Sequence, residues 1–587
     1  MKSEAMHVAL IGGGPSALFM YKRLLESGAN VQITIFEKSG RLGAGMPYSS
    51  CGSGAEHVTN VSSNEIPELP VLPHKWLKSY EAMEGLATTD HNPYKVFPRM
   101  LFGNYLESQF HTLIDSGRKE GIETAIQFNT NVIDLNYGNE RVSVTTSKNK
   151  IYHFDKVVIC TGHQFPTGLD EASTGFYKSP YPPQKLALPL NHTVALRGAS
   201  LTAVDAIKTL ARANGIFKEK PNGTLVYKPN PESRNFKMVL HCRSGMLPAV
   251  RFHLQDSHLK NPSLLTPEQI ERHKESNGGF LSLDYIFEKD FMEPLKNTDP
   301  EFYEKVQHLQ MEGFVHAMLE LRERIDPFAL LMAECHEADK SIRRKKSICW
   351  KEMLGVLSFA LNYPAKYFSA EDMIRYKATL HPLISLVIAY IPQSSCTELL
   401  ALHKAGCLDM LHVGKESSVE RLAGGGITYH YMDGEGRKAT AEYRTYVDCT
   451  GQPQIDLKDF PFRGLVAQGI VTQARLAFRD ANAAKAYKKE HPTAVAADTN
   501  GHYHLKVSGI AVNDHFQVLE KSGRPNEAIY MMAVPYMGGY NPDYSGLDFA
   551  EEASQRIADS MSRSATRPIQ LKTVAAQVPP KRMVRVA

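Results

Sequence analysis

Cysteine is scarce in this chain of 587 residues. The eight cysteines stand at positions 51, 160, 242, 335, 349, 396, 407 and 449, and no two form a Cys-x-x-Cys pair. That spacing excludes a zinc ribbon, a disulfide framework and a local redox dithiol, and it suits a reducing compartment. Long apolar runs are missing too. The longest, from Leu383 to Ile391, falls well short of the roughly 20 residues that cross a bilayer. No basic stretch followed by an apolar one precedes the first strand near Val8, so no signal peptide and no membrane partner are expected, and the expected compartment is the cytoplasm. Charge of one sign is absent as well: 67 Lys and Arg face 63 Asp and Glu, for a net charge of +4. Nothing in that balance calls for nucleic acid, and Arg343-Arg344-Lys345-Lys346 reads as a solvated helix face.

What is present is the composition of a packed protein. Hydrophobic residues make up 43% and charged residues 22%, at a length that calls for two or three domains. The apolar run His7-Val8-Ala9-Leu10-Ile11 suits a buried parallel strand. It leads into Gly12-Gly13-Gly14-Pro15-Ser16-Ala17. A helix follows, with Leu18, Tyr21, Leu24 and Leu25 at helical spacing, and a second strand from Val31 to Phe36 ends at Glu37 and Lys38. Gly12 permits the tight turn, Gly14 lets backbone approach a pyrophosphate, and Ala17 allows close helix–strand packing. The pyrophosphate sits on free N–H groups at the helix start. Glu37 stands at the spacing from which a carboxylate reaches unphosphorylated ribose hydroxyls, as in FAD or NAD. The competing reading is a structural glycine turn. Because later segments also look built for this domain, FAD is the expected occupant.

The chain carries an internal echo. Val157-Val158-Ile159-Cys160-Thr161-Gly162 and Tyr446-Val447-Asp448-Cys449-Thr450-Gly451 are both apolar strands ending in Thr-Gly. An antiparallel ribbon precedes each, opening near Val132 in the first and near Ile427 in the second. The second unit opens on Thr193-Val194-Ala195-Leu196-Arg197, then Gly198-Ala199-Ser200-Leu201-Thr202-Ala203, with Ser200 where a glycine is usual. Gly12 to Gly162 spans 150 positions and Gly198 to Gly451 spans 253, so the second unit holds an insertion. Helical patterns fill about 255–405, which suits a subdomain covering a pocket between domains.

The motifs Gly12-Gly13-Gly14-Pro15-Ser16-Ala17, Gly43-Ala44-Gly45-Met46-Pro47-Tyr48, Phe97-Pro98-Arg99 to Leu106, Cys160-Thr161-Gly162-His163 and Gly198 to Asp205 resemble the bacterial FAD/NAD(P)-binding protein family. That family is similar to the class B, N-hydroxylating flavin monooxygenases. The resemblance covers most of 6–250 and returns over about 425–562. It implies an α/β fold of two Rossmann-like dinucleotide-binding domains, glutathione-reductase-like with a three-layer ββα architecture, and an inserted mostly helical subdomain. The implied division is 1–185 and 456–567 for FAD, 186–254 and 406–455 for NAD(P), 255–405 for the insertion, and 568–587 as a tail. The resemblance also implies bound FAD, NADPH as reductant, dioxygen, and a small polar substrate oxygenated at nitrogen through a flavin C4a-(hydro)peroxide. A reductase or oxidase without oxygenation, and a flavin-bound scaffold with a decayed second site, remain alternatives. The Baeyer–Villiger fingerprint Phe-x-Gly-x-x-x-His-x-x-x-Trp is absent.

The cofactor-binding candidates in the first unit are Gly12, Gly14, Pro15, Ser16, Ala17, Glu37, Lys38, Gly45, Asn60, Arg99, Val132, Thr161 and Gly162. Arg99 is either a contact to flavin or its pyrophosphate, or a surface arginine at a turn. Asn60 either meets the isoalloxazine edge or closes an Asx turn. In the second unit the candidates are Gly198, Ser200, Leu201, Thr202, Arg243, Thr450 and Gly451. Arg243 follows the second strand, where an arginine suits a 2′-phosphate and so favours NADPH over NADH. Gly546, Leu547 and Asp548 open a helix whose N-terminus is expected to face the flavin pyrimidine. No catalytic side chain follows from sequence alone. His163, Arg251, His253 and His381 are candidates through their expected position at the domain junction.

Overall fold

A computed structural model describes residues 5–84, 92, 94–162, 174–254, 264–434, 436–452, 455–543 and 546–562. His163 and the tail 568–587 lie outside the described residues.

Two parallel sheets organise the chain. The first is built on Met6–Ile11, whose inner positions Val8, Ala9 and Leu10 are fully buried. Burying a Val or Leu side chain in this way is worth about 1.5–3 kcal/mol. The strand order is Gln517–Leu519, Pro525–Met531, Lys156–Ile159, Met6–Ile11, Val31–Phe36, Glu123–Gln127. All neighbours are parallel except the antiparallel edge Gln517–Leu519. Helix Pro15–Glu26 starts with proline at its first turn and buries Leu18, Leu24 and Leu25. The last helix, Gly546–Met561, packs against it, and Glu551 accepts from buried Lys22 at 2.7 Å. The C-terminal segment thus returns to the N-terminal sheet, with Pro525–Met531 pairing beside Lys156–Ile159.

The second sheet is all parallel, in the order Phe176–Tyr177, Thr445–Asp448, Thr193–Arg197, Lys237–Cys242, Leu408–His412. Each sheet carries a three-stranded antiparallel ribbon before its Thr-Gly strand. The first ribbon is Val132–Gly138, Arg141–Thr146 and Ile151–Phe154. The second is Ser418–Arg421, Ile427–Met432 and Lys438–Tyr443. The two units therefore repeat one topology.

The units differ in what joins their second and third strands. In the first, helix Arg99–Lys119 leads into Glu123–Gln127. In the second, helix Gln393–Lys404 has the same place before Leu408–His412, and helices from Pro267–Ser276 to His381–Val387 come between. Those helices divide between two cores. Leu283, Phe291, Phe314, Leu354 and Leu383 join the core of the first sheet, whereas Phe328, Leu331 and Cys335 of helix Pro327–Arg344 join that of the second. The helical region is thereby wedged onto both α/β units.

Candidate functional site

At the end of the first strand the chain makes a crossing that only glycine tolerates well. Gly12 has φ +103°, and a Cβ there would sit 2.8 Å from the Cys160 carbonyl oxygen. Helix Pro15–Glu26 begins at Gly14 with no side chain capping it, so its first N–H groups lack intrahelical partners. The Gly43–Gly45 turn lies over this start, and the Gly43 amide donates to the Gly13 carbonyl at 2.7 Å. A Cβ on Gly14 would touch the Gly45 Cα at 3.4 Å, and one on Gly45 would meet Pro15 Cδ at 3.0 Å. Glu37 is buried at the end of the second strand. Its Oε2 accepts from the Gly13 amide at 2.8 Å and its Oε1 from the Ser39 amide at 2.7 Å. A carboxylate has about four acceptor positions, so each oxygen retains one for a sugar hydroxyl. Thr161 Oγ1 is buried beside the crossing and has no hydrogen-bond partner among the described residues. An uncapped helix start, a spare carboxylate capacity and an orphaned hydroxyl fit a dinucleotide. Gly12–Ala17 would take its diphosphate, Glu37 its sugar, and Thr161 a polar atom. Lys38 is exposed, while Val132 is half-buried at the start of the first ribbon.

The second unit repeats the crossing. Gly198 has φ +105°, and its Cβ would meet the Cys449 carbonyl oxygen at 3.0 Å. The Gly198 amide donates to the His241 carbonyl at 3.0 Å, as Gly12 does to Phe36 at 2.8 Å. Ser200 starts helix Leu201–Asn214 with φ −91° and ψ −166°, close to −81° and −164° at Gly14. Serine therefore adopts the glycine conformation without strain, and its side chain is exposed. Leu201 and Thr202 follow half-buried. Strand pairing sets Ile11 opposite Phe36 and Arg197 opposite His241. Cys242, not Arg243, therefore holds the register of Glu37. Cys242 is buried, and exposed Arg243 comes next. The sequence pattern placed Arg243 one position early because the last residue of a buried strand is not marked by its neighbours. Thr450 differs from its counterpart: its hydroxyl and amide both donate to Asp448, at 2.6 and 3.0 Å. Gly451 has φ +84° beside Thr202.

Between the units lies a buried ionic network. Arg99 begins the long helix Arg99–Lys119 and donates to Asp205 Oδ2 at 2.5 Å and to the Val58 carbonyl at 2.9 Å. Tyr181 donates to the same Asp205 oxygen at 2.6 Å. Burial opposes the Arg99 charge, but the Asp205 carboxylate together with the Tyr181 and Tyr48 hydroxyls more than offsets it and keeps the guanidinium protonated. The Gly54 amide donates to His57 Nδ1 at 2.9 Å, so Nε2 carries the proton and faces the Asp205 carbonyl at 3.1 Å. Burial keeps this imidazole below its ordinary pKa. Arg99 thus joins the first unit to the second through protein groups.

Arg251 clamps a second junction. It is 3% exposed and donates to the Asn60 carbonyl, Ser62 Oγ at 2.8 Å and the Glu65 carboxylate. Its guanidinium lies 5.2 Å from the Tyr390 ring centre. Tyr390 is buried within electrostatic reach of Asp548 near the start of helix Gly546–Met561. The Asn60 carbonyl, Arg251, Tyr390 and the opening turn of the last helix therefore converge. Gly546 is exposed, with φ +84°, and Leu547 is buried behind it. His253 packs on Tyr94 at 4.6 Å between ring centres, with Nδ1 buried and unpartnered among the described residues. His381 is half-buried and edge-on to Tyr376. Asp205, Tyr181, His57, Glu65 and Tyr390 did not emerge from sequence, because each gains its meaning from a partner distant in the chain.

Residues 9–164 match the family model described as FAD-NAD(P)-binding, and residues 266–388 match the YdhS-like middle domain. The uncharacterized protein YdhS of Escherichia coli (strain K12) is 26% identical over 468 residues, covering 78% of this chain and 86% of that protein. Among solved structures, the reduced ornithine hydroxylase of Pseudomonas aeruginosa aligns with a TM-score of 0.45 at 10% identity, over 95% of this chain and 99% of that one. The ornithine N-hydroxylase of Kutzneria sp. 744 gives 0.42 at 12%, over 95% and 99%. The bacillithiol disulfide reductase of Staphylococcus aureus gives 0.42 at 10%, over 95% and 98%. Such values do not choose between hydroxylase and reductase. Among the described residues no helix is long and apolar enough to cross a membrane. The match to the FAD-NAD(P)-binding model at 9–164 thus falls on the first of two α/β units that repeat one topology.

Proposed function

We propose that the protein is an NADPH-dependent flavin monooxygenase that oxygenates a small polar substrate at nitrogen. FAD belongs to the first unit, NADPH to the second, and the substrate to the junction roofed by the helical region. The observation that carries the reading is the fixed, doubled crossing: Gly12 and Gly198 turn alike, and the pairing of Arg99 with buried Asp205 links the two units. A cysteine where the first unit has a carboxylate, with exposed Arg243 beside it, favours a 2′-phosphate. The backbone at Ser200 argues against a decayed second site.

Bound flavin would supply the oxidation–reduction chemistry that side chains cannot. The chain's own part is to bind, orient and exclude water. Glu37 fixes a sugar, the helix starts at 14 and 200 face phosphate groups, and the Arg251–Tyr390 clamp closes the junction. Buried Cys160 and Cys449 sit behind the two crossings, and burial pushes both thiols upward, away from the reactive thiolate. A dithiol route therefore has little support. The deciding experiment incubates the holoprotein with NADPH, candidate amines and oxygen-18 dioxygen. Label in the product supports oxygenation. NADPH consumption with unlabelled product, or with peroxide alone, moves the reading to a reductase or oxidase.

A further inference from the structure

Two buried cysteines meet where the helical region packs on the second unit. Cys335 belongs to helix Pro327–Arg344 and Cys396 to helix Gln393–Lys404, and both join the core of the second sheet. Two contacts fix how these helices face each other. The Phe328 and His403 rings stack with centres 3.8 Å apart and planes 5° from parallel. Further along, Cys396 Sγ donates to the Leu331 carbonyl at 3.7 Å. One number rises as the other falls, so the helices run antiparallel. Cys335 stands seven residues after Phe328 and Cys396 seven before His403, about two turns along each helix from the stacked rings. Cys335 also lies one turn beyond Leu331, and a helical side chain leans back over the turn that precedes it. The Cys335 sulfur therefore comes down where Cys396 already lies, and the two thiols share a hydrogen bond. The sequence holds no Cys-x-x-Cys, and this pair is made by the fold alone.

We propose that Cys335 and Cys396 are a peroxide-sensitive pair that closes to a reversible disulfide and fixes the helical region to the second unit. Cys335 Sγ attacks one oxygen of hydrogen peroxide. The O–O bond breaks, and the departing hydroxide leaves as water with the thiol proton. Cys396 Sγ then attacks the sulfenic sulfur. The S–S bond forms, the S–O bond breaks, and a second water leaves with the Cys396 proton. The two thiols lose two electrons and the peroxide gains them. No dinucleotide takes part, so the pair is tested apart from the reading above.

The two sulfurs are unequal in the way these roles require. Cys335 is 6% exposed and Cys396 0%, so peroxide reaches Cys335 first and Cys396 resolves. The Cys396 thiol pulls the Cys335 pKa down, against burial and the Asp339 charge, while Cys335 and burial push that of Cys396 up. The bond would join two anchored helices. Glu398 ties helix Gln393–Lys404 to Lys208 at 3.3 Å and Arg212 at 2.7 Å, on the helix that starts at the second crossing. Glu334 ties helix Pro327–Arg344 to Arg322 at 2.6 Å and Lys351 at 3.1 Å within the helical region.

The reduced full-length protein is exposed to hydrogen peroxide, alkylated under denaturing conditions and digested without reductant. The expected product is a linked pair of peptides holding residues 335 and 396, about 2 Da lighter than the two free peptides together, and parted by dithiothreitol. Amide hydrogen exchange over 327–344 and 393–404 should slow about tenfold on oxidation and recover on reduction. In Cys396→Ser, Cys335 should stop at the sulfenic acid, trapped by dimedone, and exchange should not slow. Cys51→Ser, at an exposed cysteine, should leave the link intact. The wild-type peptide map decides the matter even if Cys396→Ser does not fold. Both thiols recovered alkylated, Cys335 carried on to sulfinic acid, or either cysteine linked to Cys51 or Cys349 instead overturns the pair. A 335–396 link that leaves the exchange of both helices unchanged overturns the fixing of the helical region.

Discussion

The two α/β units share a backbone and differ in their charged ends. Both strands end on a positive-φ glycine tucked against a cysteine carbonyl, and both helices start in nearly the same conformation. In the first, the second strand ends in Glu37, held by two amides, and Thr161 keeps an unpartnered hydroxyl. In the second, that register holds Cys242, Arg243 lies beside it, and Thr450 is spent on Asp448. The first loop is overlaid by Gly43–Gly45, whereas the second starts at an exposed serine. On the proposed reading, residues at the strand ends would tune one architecture towards two dinucleotides, while the crossing is common to both.

Breaking the link between the units should have the largest effect. Arg99→Ala leaves Asp205 buried without its cation, which costs about 3–5 kcal/mol. Denaturant unfolding should show that loss, and Asp205→Asn should recover part of it in the double variant. Next comes Gly12→Ala, which places a Cβ 2.8 Å from a carbonyl oxygen at φ +103°. Strain of about 1–3 kcal/mol is expected, together with loss of flavin from the purified protein. Gly198→Ala should cost a similar amount yet keep its flavin, which separates the two units by one spectrum. Arg243→Ser should raise the KM for NADPH about tenfold, near 1.4 kcal/mol, and leave that for NADH unchanged. Ser200→Gly should change NADPH binding least, within about 0.5 kcal/mol, because the side chain is exposed and the backbone unstrained.

Much of the fold is legible in the sequence because it is written locally. The apolar run before Gly12, the echo of Thr161-Gly162 in Thr450-Gly451 and the ribbons ahead of them are short-range patterns, and the two parallel sheets follow from them. The junction is not written locally. Arg99 and Asp205 are 106 positions apart, and Arg251 reaches Ser62 across 189. Each looks like an ordinary surface residue until the helical region folds onto both cores. Arg243 shows the finer limit, since one residue of strand register decides whether a cysteine or an arginine stands opposite Glu37 in the repeat.

The most direct test is the visible spectrum of the protein after incubation with FAD and removal of free flavin, run beside Glu37→Gln and Gly12→Ala. A yellow wild type with equimolar flavin, and variants that come through bleached, is the predicted result. A colourless wild type, or variants that keep their flavin undiminished, would contradict the assignment of residues 12–17 and Glu37 to the dinucleotide.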